Sequence, residues 1–133
     1  MIICIDFDGT CVTHDFPNIG KDIGAQYVLK KIVEAGHKLV LFTMRGEATF
    51  CDRGIINALA EAVQWFEQNE IPLHGINIEP EQHTWTSSQK AYGDIYIDDS
   101  ALGCPLISNF ELSDRPYVDW IDVEHLLKIC GIL

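Results

Sequence analysis

Ile2-Ile3-Cys4-Ile5-Asp6-Phe7-Asp8-Gly9-Thr10 decides the fold class. Four apolar residues without polar alternation predict a strand buried on both faces, as strands of a parallel sheet are. The run stops at Asp6, and Gly9-Thr10 is a turn pair that carries the backbone away while Asp6 and Asp8 stay near the strand's carboxyl end. Two carboxylates so close repel each other, which makes this strand end the first place to look for chemistry.

Outward from that strand, apolar residues fall at helical spacing. Ala25, Val28, Leu29, Ile32 and Val33 share one face, and Gly36 stands where a helix would end in the left-handed conformation. Lys38 to Thr43 reads as a second strand, Ile56, Leu59, Ala60, Val63 and Phe66 as a second helix face, and Ile95 to Ile97 as a later strand. Val123, Leu126, Leu127 and Cys130 line a third helix that Asp119 can cap. This alternation predicts an α/β fold whose parallel sheet is covered on both faces. Arg45 to Arg53 and Glu79 to Ser88 read as loops after strands. With no repeat or linker, residues 1–133 form one expected domain. Ligands of open α/β sheets collect at the carboxyl ends of strands, so these two loops and Gly9 to Gly20 should surround the site.

Composition sets outer bounds. A hydrophobic content of 47% in 133 residues is enough for a real core. Twenty acidic residues against nine basic ones leave a formal charge of -11, which repels nucleic acid and anionic membranes. A phosphate substrate would therefore need a local cation. Cys4, Cys11, Cys51, Cys104 and Cys130 are scattered, with no C-x-x-C pair, and read as reduced thiols of a cytoplasmic protein. The chain opens directly into its first strand without a basic leader, and no apolar run reaches membrane-spanning length.

A second acidic pair, Asp98-Asp99, ends the run Asp94-Ile95-Tyr96-Ile97. If that strand neighbours the first, Asp6, Asp8, Asp98 and Asp99 converge at one edge, and so much negative charge needs a cation. Oxygen donors without clustered cysteine or histidine favour magnesium over zinc. Lys90, just before the later strand, is a candidate cationic side chain, and Thr43, ending the second strand, offers a hydroxyl to an anion.

In order, these residues resemble the motifs of the haloacid dehalogenase-like (HAD-like) phosphatases. The family's D-x-D-x-T/V motif is similar to Asp6-Phe7-Asp8-Gly9-Thr10, its threonine or serine to Thr43, its lysine to Lys90 and its acidic pair to Asp98-Asp99. The resemblance implies a three-layer, Rossmann-like fold with a central, mainly parallel sheet. It also implies a magnesium-dependent phosphohydrolase in which Asp6 attacks phosphorus and Asp8 is the acid and base. Thr43 and Lys90 would hold the phosphoryl oxygens. Asp6, the carbonyl of Asp8, and Asp98 or Asp99 would hold Mg2+. An acid at position 8 favours phosphoryl chemistry, because relatives that cleave carbon–halogen bonds lack it.

The stretches Gly9 to Ala25 and Arg45 to Lys90 are too short for a cap domain, so the chain resembles the small capless bacterial members. Their sites are open to large substrates or closed by a second subunit. The expected partner is a small phosphorylated metabolite or a phosphoprotein, with a homo-oligomer as the closed alternative.

Several residues have two readings each. Arg45 follows Thr43 by two residues and either binds a second anionic group of the substrate or forms a surface ion pair. His14 either touches substrate or is structural. Trp85 either stacks on a substrate ring or pins its loop, and pinning is favoured. Cys11, beside the acids, reads as a packing residue. A receiver domain of two-component signalling carries similar residue types, but its acidic pair follows the first strand and its acceptor the third. Here the pair follows the fourth strand, and no acid directly ends Ile76-Asn77-Ile78. A catalytically idle metal-binding or partner-binding relative is the other alternative.

Overall fold

The computed structural model describes residues 1–133. In chain order the elements are β1 (Ile2–Ile5), α1 (Ala25–Glu34), β2 (Lys38–Leu41), β3 (Thr49–Cys51), β4 (Gly54–Ile56), α2 (Ala58–Gln68), β5 (Gly75–Ile76), a 3-10 turn (Gln82–Thr84), β6 (Ile95–Ile97), β7 (Leu106–Ile107), β8 (Tyr117–Val118) and α3 (Trp120–Ile129). Four strands form a parallel sheet in the order β5-β2-β1-β6, with Cys4 opposite Val40 on one side and Tyr96 on the other. The chain is thus α/β with β1 at the centre, compatible with a Rossmann-like fold.

The sheet is not covered by helices on both faces. Ile3, Ile5, Leu39, Leu41 and Ile97 share one buried cluster with Val28, Leu29 and Ile32 of α1, Ala62, Trp65 and Phe66 of α2, and Val123 and Leu127 of α3. The opposite face carries a small cluster of Cys4, Val40 and Ala91. The reason lies in the topology. From β1 through α1 to β2, and through α2 to β5, the chain steps in one direction, and right-handed crossovers stepping one way place their helices on one face. The return from β5 to β6 crosses the other face, and that connection holds only the 3-10 turn. One face of the sheet thus carries the helical layer and the other a layer of irregular chain.

Boundaries shift where local hydrogen bonds override periodicity. Ile56 belongs to β4, paired with Thr49, and α2 begins after Asn57, whose side chain accepts the Ala60 N–H at 2.8 Å. The segment expected as a loop from Arg45 to Arg53 therefore contains β3, half of a hairpin that turns at Asp52-Arg53 and opens its second strand on Gly54 with φ 90. Asp119 does cap α3, accepting the N–H groups of Ile121 and Asp122. No helix is long and apolar enough to cross a membrane.

Candidate functional site

Because β1, β2 and β6 run parallel, the residues that follow them share one edge of the sheet. Asp6 follows β1, Thr43 stands two residues beyond β2, and Asp98 follows β6. One carboxylate oxygen from each of Asp6, Asp98 and Asp99 lies within 4.8 Å of the others. The Asp6 carboxyl is pushed up from 3.8 to about 7. Burial is the main cause, and the charges of Asp98 and Asp99 add to it against opposing hydrogen bonds from the Phe7 N–H and the Thr10 hydroxyl.

Thr10 ties the trio together. Its hydroxyl donates to Asp6 Oδ2 at 3.1 Å and accepts the Asp99 N–H at 3.0 Å. The Thr10 carbonyl in turn accepts the buried indole N–H of Trp120 at 2.7 Å, so α3 holds the motif from beneath. His14 turns onto Asp99, with Nε2 2.8 Å from Oδ2. Only glycine permits that pair: at Gly9, φ 79, a Cβ would stand 2.1 Å from His14 Nε2 and 2.7 Å from Asp99 Oδ2. Asp98 accepts the Ser100 N–H through Oδ1 at 2.7 Å, and its Oδ2 has no partner in the chain.

Asp8 stands apart from the trio. Arg45 grips it with two parallel bonds, Nε to Oδ2 at 2.8 Å and Nη2 to Oδ1 at 2.7 Å. The other donors go to the carbonyls of Pro17, Ala58 and Asn18. All five guanidinium N–H groups are thereby used, and Arg45 is 2% exposed. The sequence offered a substrate contact or a surface ion pair; the structure shows a buried ion pair with every donor engaged inside the chain.

Thr43 accepts the Arg45 N–H through Oγ1 at 3.1 Å, which leaves its hydroxyl hydrogen free to donate outward. Its own N–H donates to the Asn77 side chain at 2.8 Å. Asn77 follows β5 in the left-handed region, φ 56, a conformation asparagine tolerates better than most residues. Lys90 is exposed on the face without helices, its ammonium 5.1 Å from the centre of the Tyr96 ring. It makes no ion pair with the trio. The loop that carries it is clamped by Gln82, 1% exposed, whose Oε1 accepts the N–H groups of Glu79 and Tyr92 and whose Nε2 donates to the carbonyls of Ser88 and Lys90.

The structure thus brings together Asp6, Asp98 and Asp99, with Thr43 just beyond the adjoining strand and Asp8 held beside them. It places His14 on Asp99 and leaves Lys90 outside the cluster. Trp85 is exposed and packs edge-on to Tyr92 at 5.5 Å, within its own loop. Cys11 is buried, donates to the Asp6 carbonyl and has its thiol pushed well up by burial, as a packing residue would. Sequence reading missed Asn77, Gln82, Trp120 and the bridging role of Thr10. Only Asn77 left a signal, as the polar interruption of Ile76-Asn77-Ile78.

Among solved structures, a conserved protein from Bacteroides thetaiotaomicron is similar, with a TM-score of 0.71 and 29% identity over 96% of this chain and 89% of that one. The likeness runs nearly the full length of both chains. No family model and no curated protein matches the chain.

Proposed function

We propose that this chain is a magnesium-dependent phosphohydrolase of the haloacid dehalogenase-like kind, cleaving a phosphate monoester through an aspartyl-phosphate on Asp6. The observation that carries the reading is the convergence of the Asp6, Asp98 and Asp99 oxygens within 4.8 Å at one sheet edge. An all-oxygen acidic donor set suits a hard divalent cation. Asp6 and Asp98 would hold it directly, with the Asp8 carbonyl, which accepts no hydrogen bond from the chain. Asp99, turned to His14 and Thr10, supports from behind. A bound magnesium ion would supply the positive charge that keeps Asp6 ionised and draws a phosphoryl group toward it.

In the first step, entered with Asp8 protonated, an Asp6 oxygen bonds to phosphorus, the ester P–O bond breaks, and its electron pair leaves with the departing oxygen, which takes that proton and leaves Asp8 as the carboxylate paired with Arg45. Water then attacks phosphorus and gives a proton to Asp8, and the bond to Asp6 breaks, returning the carboxylate and releasing phosphate. The Thr43 hydroxyl, free to donate, would bind a phosphoryl oxygen. Lys90 would reach the same group by leaving the Tyr96 ring, an exchange of a weak cation–π contact for a charged hydrogen bond.

The substrate would be a small phosphate ester or a phosphoprotein rather than nucleic acid, given the charge of -11. Five unpaired cysteines suit a reducing compartment such as the cytoplasm. Hydrolysis of p-nitrophenyl phosphate with magnesium, lost in Asp6→Asn and on chelation, tests the reading. Absence of turnover with this substrate and with a panel of phosphorylated metabolites would instead favour an idle, metal-binding relative.

A further inference from the structure

We infer that Arg45 is a positioning residue for Asp8, an assignment that rests on the phosphohydrolase reading above. The guanidinium is sealed between two aromatic rings, 4.9 Å from the centre of Phe7 and 5.3 Å from that of Phe16. Its bonds reach three separate stretches: Asp8 after β1, the carbonyls of Pro17 and Asn18, and the carbonyl of Ala58 at the start of α2. A side chain so anchored cannot swing toward a substrate without giving up several of these bonds. Its planar fork instead sets the plane of the Asp8 carboxylate.

The fork solves a problem that the motif creates. Asp8 lies two residues from Asp6, and an unpaired carboxylate there would be drawn to any cation held by Asp6, Asp98 and Asp99. Paired with Arg45, its side chain stays out of the trio. Each Asp8 oxygen gives one lone pair to the fork and keeps another outside it. That outer lone pair is where a proton can be carried to the departing ester oxygen. In the second half-reaction the same lone pair takes the proton of the attacking water as phosphorus passes from the Asp6 oxygen to the water oxygen. Arg45 itself exchanges no proton and touches no reacting atom.

Lysine at this position keeps the charge and loses the fork, so Arg45→Lys is the informative variant. With p-nitrophenyl phosphate, whose departing oxygen needs little proton donation, hydrolysis of the aspartyl-phosphate should become limiting. The expected result is a kcat at least tenfold lower, a KM that falls with it so that kcat/KM stays within about twofold of wild type, and a larger fraction of protein carrying acid-trapped phosphate at steady state. Phe16→Leu, at a half-exposed position, loosens the guanidinium without removing charge and should move the same quantities less, giving a second reading should Arg45→Lys fold poorly. A KM raised tenfold with kcat retained would overturn the assignment in favour of substrate binding. A lower kcat with no added phosphoenzyme, or one that recurs undiminished in an Asp8→Asn background, would overturn it in favour of a merely structural role. Wild type that neither turns over nor becomes phosphorylated would overturn the phosphohydrolase reading first, and this inference with it.

Discussion

Asp6→Asn should make the metal-free protein more stable, and the gain should grow with pH. In the folded chain the Asp6 carboxyl is raised from 3.8 to about 7 by burial and by Asp98 and Asp99. A group raised on folding contributes fully below its unfolded value and loses that contribution as pH climbs through the folded one. Each unit of difference is worth about 1.4 kcal/mol, so ionising Asp6 withdraws at most on the order of 4 kcal/mol by pH 8 and roughly a third of that at pH 5. Rearrangement of the neighbouring acids reduces the figure, and about 2 to 4 kcal/mol is expected. For a chain of this size that is roughly 10 °C in Tm. Asparagine keeps the shape and can still accept from Thr10 while removing the charge. The assay is thermal unfolding of both proteins in chelator at pH 5, 6, 7 and 8, then with magnesium at pH 8. Wild type should gain stability from magnesium, and Asp6→Asn should gain much less. A metal-free Asp6→Asn that melts below wild type at pH 8, or a difference that does not widen with pH, would refute the electrostatic account of the trio.

Gly9→Ala should strain a positive-φ turn and push His14 off Asp99, lowering stability by about 1–3 kcal/mol; a melting temperature equal to wild type would sink that account. Gln82→Leu removes four hydrogen bonds from the Lys90 loop and should cost on the order of 3 kcal/mol. Its amides at 88–92 should exchange faster and KM for a phosphate ester should rise, and unchanged exchange would dissociate Gln82 from that loop. Trp120→Phe leaves the Thr10 carbonyl without its indole partner and should cost about 1–2 kcal/mol, readable in urea unfolding.

Much of the scaffold was legible in the letters. Ile2–Ile5 and Ile95–Ile97 are strands because their residues are apolar throughout, and Ala25–Glu34 is a helix because its apolar positions recur at the helical period. The hairpins were not legible, since strands of two or three residues carry no period to read. Nor was the one-sided helical cover, which depends on the order in which strands are placed and not on what any segment prefers.

For the site the division is similar. Local chemistry named Asp6, Asp8, Thr43, Lys90 and Asp98-Asp99, because acids and hydroxyls at the ends of apolar runs have no packing reason to be there. Which of them converge was decided only in three dimensions. The parallel sheet sets β6 beside β1, and that adjacency gathers Asp6, Asp98 and Asp99. Arg45 read as a substrate contact or a surface ion pair, and the fold instead buries it, bringing Asp8 and three carbonyls from distant stretches within reach of its five donors. Which residue types stand at the strand ends is written in the chain itself. The tertiary structure decided their partners, because hydrogen bonds between residues far apart in the chain exist only once the strands are ordered.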